Sequence, residues 1–203
     1  MKRYLSLALF LLTITILINS CGKTPYRVDT LWEDDRYKET GFHTILVIGI
    51  TEDEFQRKGF EIHMKNQLEK SDVKVIESLK VLQKDVKLTK ENFDEHFKDY
   101  HIDGIITVRV VSKDIKRTDA YNINYNNPTG FYGFYYNSYD FNYSSYMLRE
   151  KVIKIEANLF EATNGDLVWS GLSQTTDYTR SSEVILPLTK EIAEVLTDLG
   201  YLD

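Results

Sequence analysis

The side chain with the most distinctive covalent chemistry is the thiol of Cys21, the only cysteine in 203 residues. With no second thiol an intramolecular disulfide is excluded, so the core must hold by packing alone. The other reactive side chains do not converge. His43 and His63 stand isolated, and His96 and His101 are five positions apart, which on a helix turns them to different faces and disfavours a metal site. Asn122, Asn124 and Asn126 have the opening spacing of a calcium loop, but its sixth position is Asn127 rather than glycine and its twelfth is Gly133 rather than glutamate. Glu52, Asp53 and Glu54 suit the first turn of a helix, where the macrodipole favours carboxylates, better than an acid–base pair. No G-x-S-x-G elbow, P-loop, G-x-G-x-x-G or H-E-x-x-H motif occurs. The expectation is a protein with no catalytic residue, no metal and no cofactor.

The segment before Cys21 is what positions it. Lys2 and Arg3 form a short basic start, and residues 5–18 are apolar apart from Ser6, Thr13 and Thr15. As a helix that run would rise only about 21 Å, against a hydrocarbon core of roughly 30 Å. It is too short for a comfortable span and reads as the n- and h-regions of a secretory signal. Ile18, Asn19, Ser20 and Cys21 then resemble the lipobox of bacterial lipoproteins, with an aliphatic residue three places before the cysteine and a small one just before it. Asn19 departs from the usual small or aliphatic residue between them. The resemblance implies diacylglyceryl transfer to the Cys21 thiol, cleavage between Ser20 and Cys21, and acylation, for example with palmitate, of the new amino group. Two or more acyl chains anchor a protein stably, where one gives only marginal residence.

Three regions follow: a signal peptide over 1–20, a lipidated tether over 21–43, and an α/β domain over 44–203. Cleavage leaves 183 residues, enough for one domain with a sizeable core. The net charge is −6, and losing Lys2 and Arg3 makes it −8. An acidic chain without a basic cluster argues against nucleic acid as a partner, and against polybasic docking on anionic lipid.

Residues 22–42 show no clean period, carry Pro25 and bunch Glu33, Asp34 and Asp35, which reads as the tether. Residues 44–50 (TILVIGI) are a continuous aliphatic run suited to a central strand buried on both faces. Thr51 and Glu54 have capping-box spacing ahead of a helix reaching about residue 70, with Phe55, Phe60, Met64 and Leu68 inward and Arg57 and Glu61 pairing on the surface. A strand over 73–78, a connector, a helix opened by Thr89 with Phe93 and Phe97 inward, and a strand over 105–111 continuing to about residue 116 complete a β-α-β-α-β run. Residues 151–160 alternate cleanly, turn at Asn164-Gly165-Asp166 and return over 167–178 as a hairpin, with Trp169 packed on the sheet. A last helix, capped by Ser181 or Ser182, runs to about Gly200, with Pro187 either at its true start or kinking its first turn. The fold expected is α/β (α+β): one mixed sheet of about five strands, then a closing helix.

Between the third strand and the hairpin lies an insert, 121–146, holding eight of the fourteen tyrosines and six asparagines. It shows no helical period and is broken by Asn, Gly and Pro. Three readings stay open: a loop with no partner, a protein-contact surface rich in tyrosine, or a contact for glycan or lipid headgroups. The candidate contact residues are Tyr121, Tyr125, Phe131, Tyr132, Phe134, Tyr135, Tyr136, Tyr139, Tyr143 and Tyr146.

The strand ILVIGI, the helix with Arg57, Phe60 and Glu61, the strand DGIITVRVV, the aromatic insert and the hairpin IEANLFEATNGDLVWSG together resemble a family of uncharacterised gram-negative lipoproteins. The same element order is similar to that of the penicillin-binding-protein activator lipoproteins, the curli-secretion lipoprotein and the amino-terminal domain of the Tol-system propeller protein. The resemblance implies an envelope lipoprotein, anchored in the outer membrane and facing the periplasm, that acts by contact with another envelope protein. The alternative it leaves is a peptidoglycan- or glycan-binding module using the insert.

Overall fold

The computed structural model describes residues 26–38, 41–82, 86, 88–112, 130–139, 152–176 and 180–202. Ser20, Cys21, Tyr121, Tyr125, Tyr143 and Tyr146 lie outside the described residues, as does the expected continuation of the third strand past residue 112. The aliphatic run Thr44–Ile50 (β2) is a central strand, buried at every position but the first. It runs parallel to Lys74–Glu77 (β3) on one side and to Gly104–Ser112 (β4) on the other. Val152–Glu161 (β5) and Leu167–Thr176 (β6) continue the sheet antiparallel. The fold is the expected mixed α/β arrangement with one more strand. The sixth, Val28–Glu33 (β1), pairs antiparallel with β6, giving the order β1-β6-β5-β4-β2-β3.

This sixth strand corrects the reading of 21–43 as a tether and moves the start of the sheet back to Val28. An edge strand needs only one partner, and only Val28 of its six residues is buried, so the two-residue period that betrays a half-buried strand is missing. A register shift between Thr30 and Trp32 breaks the pattern further. Its anchors are polar. Trp169 Nε1 donates to Thr30 Oγ1 at 3.1 Å, Asp34 N to the Val168 carbonyl at 2.8 Å, and Tyr201 Oη to the Asp34 carbonyl at 3.2 Å. Burial pushes the Tyr201 phenol up, which keeps it a donor.

Four longer helices among the described residues cover the sheet: Glu54–Leu68 (α1), Lys90–Phe97 (α2), Gly130–Tyr139 (α3) and Ser182–Asp198 (α4). β3 lies on one side of β2 and β4 on the other, so the two crossovers run in opposite directions. Right-handed connections then place α1 and α2 on opposite faces. One face packs Ile45, Val47, Ile106 and Val108 against Phe60, Met64 and Leu68 of α1 and Leu188, Ile192 and Leu196 of α4. The other packs Leu46, Ile48 and Ile105 against Phe93 and Phe97 of α2 and Phe131 and Tyr135 of α3.

Several local expectations shift. Asp53, not Thr51, caps α1: its Oδ1 accepts from the backbone N–H groups of Phe55 (3.0 Å) and Gln56 (3.1 Å), while Thr51 Oγ1 accepts from Asp53 N. Asp53→Ala is expected to lower stability by about 1 kcal/mol in urea unfolding, the usual value of such a cap; an unchanged midpoint would refute that role. Thr89 caps α2 with Asn92 completing the box. α4 begins at Ser182 and carries Pro187 in its interior, and Ser181 makes no side-chain cap bond. Phe55 is 84 % exposed rather than inward. Phe60, Met64 and Leu68 define the inner face of α1, and at 100° per residue Phe55 falls well away from it.

The insert is also corrected, because residues 130–139 are helical. Phe131 and Tyr135, one turn apart, are both buried. Gly130, at φ +55°, turns the chain into this helix, and Phe131 N donates to the Gly165 carbonyl of the hairpin turn at 2.8 Å. A helix docked by two aromatic rings does not need a long amphipathic period, which is why the glycines and asparagines around it hid it.

Candidate functional site

At the carboxyl ends of the adjacent parallel strands β2 and β4 the chain departs to opposite faces: β2 leads into α1, and the next described helix after β4, α3, covers the other side. Such a divergence leaves a crevice outside the strand ends. Here it is a cavity of about 100 Å³ between the sheet, α1 and α4. Its walls are Ile50 of β2, Val108 and Val110 of β4, Ile153 and Ile155 of β5, Phe60 of α1, and Val184, Ile185 and Leu188 of α4. Thr51, Gln56, Arg57 and Ser181 add polar groups. An apolar cavity of ~150 Å³ holds a benzene ring, so this one suits a group of a few carbons.

Beside the cavity, Gly49 sets how closely α1 approaches the sheet. A Cβ at Gly49 would stand 3.2 Å from Arg57 Cγ and 3.3 Å from Arg57 Cα. That close approach carries Arg57 and Glu61 inward, correcting their reading as a surface pair: Arg57 is 8 % and Glu61 1 % exposed. Glu61 Oε1 accepts from Arg57 Nε (3.0 Å), Ser78 Oγ (2.6 Å) and Gly49 N (3.2 Å), and Oε2 accepts from Leu79 N (2.9 Å). Arg57 Nη2 donates to Ser78 Oγ at 2.6 Å. The guanidinium therefore arrives at the cavity wall already neutralised. The spacing of four was legible in the sequence, but not the face it lies on.

The opposite face holds a second polar layer. Arg109 and Glu156 are cross-strand partners joined Nε to Oε2 at 2.7 Å, and the guanidinium carbon lies 4.5 Å from the centroid of the Phe134 ring. Next along the strands, Thr107 faces Asn158, both essentially fully buried. Among the described residues Thr107 Oγ1, Asn158 Oδ1 and Asn158 Nδ2 have no hydrogen-bond partner, and each such group costs about 1–3 kcal/mol. Glu156 and Asn158 alternate with the apolar residues of β5, yet both are buried, on the face that α3 covers.

The roof is built from the expected contact residues. Phe131 meets Phe160 edge-on at 5.6 Å and Tyr132 meets Phe93 edge-on at 6.1 Å, while Phe134 lies 5.4 Å from Phe160. Phe131 and Tyr135 are each 1 % exposed, which removes them from any free contact surface; Tyr132 and Phe134 are half-buried. Tyr136 and Tyr139 belong to α3. Among the described residues no group of three or more His, Cys, Asp or Glu side chains could hold a metal, and no helix is long and apolar enough to cross a membrane.

No family model matches the chain, and no curated protein matches it. Among solved structures it is similar to two PelC dodecamer structures from Paraburkholderia phytofirmans. One, of a point variant, has 18 % identity over 86 % of this chain and 98 % of that one, TM-score 0.46. The other has 18 % identity over 85 % and 96 %, TM-score 0.44. It is also similar to the lipoprotein GNA1162 from Neisseria meningitidis, at 13 % identity over 77 % of this chain and 99 % of that one, TM-score 0.40. At these identities and scores the likeness carries no argument about activity or partner.

Proposed function

We propose that the chain is an envelope lipoprotein, held at the outer membrane through an acylated Cys21, whose α/β domain acts by contact with another envelope protein rather than by catalysis. The observation that supports this most is the apolar cavity between α1 and α4. Its size fits one aliphatic or aromatic-edge group, the usual form of an anchor residue at a protein interface. The charged side chains beside it are committed, Arg57 to Glu61 and Ser78 and Arg109 to Glu156, so the wall offers shape and apolar area rather than a reactive group. An insert whose described aromatics pack inward gives the glycan reading less to stand on.

Photo-crosslinkers placed at Gln56 and Ser181, on the mouth of the cavity, are expected to give a discrete protein adduct in cells. Adducts to cell-wall polymer alone, or none from either site, would overturn the contact reading. Cys21→Ser is expected to release the protein from the membrane fraction and to abolish acyl labelling. A Cys21→Ser protein that stays in the membrane pellet overturns the anchor.

A further inference from the structure

The start of β1 and two exposed apolar side chains of the helical layer, Phe55 and Leu186, lie at the same end of the domain. Val28, where β1 begins, pairs with Ser173; Ser173 pairs with Ile155, Ile155 with Val110, and the neighbouring Arg109 with Ile50. The chain therefore enters the sheet at the end where β2 and β4 finish. α1 and α4 both start there, and they carry Phe55, 84 % exposed, and Leu186, 46 % exposed. Gly59, one turn along α1 from Phe55, lies in van der Waals reach of Ile185 Cδ1 (3.7 Å from an added Cβ), so the two helices that carry Phe55 and Leu186 pack closely near their starts.

We propose that this end of the domain rests on the phospholipid surface to which Cys21 is anchored, with Phe55 entering the headgroup region. The inference rests on the lipid anchor of the previous section. From Cys21 to Val28 is seven residues, a reach of at most about 25 Å. A domain of this size is about 40 Å across. If it were inverted, Val28 would stand farther from the leaflet than the tether extends, which rules that orientation out and favours the Val28 end. The tether also holds this end at high effective concentration above the lipid, so two or three side chains suffice to orient the domain. Glu52, Asp53 and Glu54 neighbour Phe55 in the chain, with Lys58 one turn on and Arg180 beside the start of α4, so no net positive charge calls for an anionic surface. The cavity opens at this same end, so a partner that fills it meets the domain near the membrane plane.

The test uses the acylated full chain in vesicles of zwitterionic phosphatidylcholine and phosphatidylethanolamine. Once Cys21 is acylated, a nitroxide on Phe55→Cys reports from the only free thiol; a second variant, Lys98→Cys, places the label at the opposite end, where α2 leads towards the start of β4. Oxygen collisions relative to those of a water-soluble nickel chelate are expected to be several-fold higher at 55 than at 98, and Phe55→Ser is expected to leave flotation with the vesicles intact. Equal accessibility at 55 and 98 in protein that floats overturns the docked orientation and leaves the anchor standing. Protein that fails to float, with Cys21 itself labelled, overturns the anchor and this inference with it.

Discussion

Replacing Glu61 with alanine is expected to remove about 3–5 kcal/mol of stability, the cost of leaving a buried charge without its partner. In the folded chain Glu61 is the acceptor for Arg57, Ser78, Gly49 and Leu79 at once. Its loss strands a guanidinium that is 8 % exposed and orphans two backbone N–H groups. Equilibrium urea unfolding followed by tryptophan fluorescence measures it. A loss below about 1 kcal/mol, the range of an exposed helical pair, would show that the pair sits at the surface. Arg57→Met with Glu61→Leu is expected to recover most of the loss, because an apolar pair of similar volume avoids both desolvation penalties. The double variant separates a structural ion pair from one that recognises a ligand: restored stability with lost crosslinking at Gln56 would assign Arg57 to the contact.

Trp169→Ala is expected to cost a similar amount, about 3–5 kcal/mol, as large-to-small changes at buried aromatics do. Trp169 is fully buried, and its indole N–H is bonded to Thr30 of the edge strand. Gly171, two residues on along β6, exists to admit that ring. A Cβ there would come within 2.6 Å of Trp169 Cη2 and 2.6 Å of Val28 Cγ1, so Gly171→Ala wedges the indole and β1 apart and is expected to cost about 1–3 kcal/mol. The two changes share one space and should not add. In a Trp169→Ala background the Gly171→Ala penalty is expected to shrink, since the indole half of the clash is gone. Strict additivity would mean that the ring does not occupy that space. Loss of amide protection in Val28–Glu33 in either variant would confirm that the indole ties the edge strand down.

The two residues Arg57 and Glu61 show where sequence reading stops. Their spacing of four predicts a pair on any helix, but whether the pair faces water depends on what lies opposite, and the absence of a side chain at Gly49 is what brings the strand in. Phe55 is the converse case: an apolar residue counted inward by composition that points out by phase. The edge strand Val28–Glu33 was invisible because a strand with one partner and one buried residue has no period to read. The helix at 130–139 was invisible because two buried rings, not an amphipathic stripe, hold it.

The sequence by itself determined the elements that are long, periodic or continuously apolar: TILVIGI as a central strand, the helix through Phe60, Met64 and Leu68, the hairpin turning at Gly165, and the closing helix. These follow from local physics, the burial of apolar side chains at a fixed spacing. It also determined the motif at Cys21, which carries the expectation of an anchor. Only the tertiary structure decided which polar pairs are buried, that the crossovers put helices on both faces, and that the cavity and Phe55 share the end at which β1 begins. Those outcomes depend on strand order and register, which bring together residues far apart in the chain, and no local pattern encodes them.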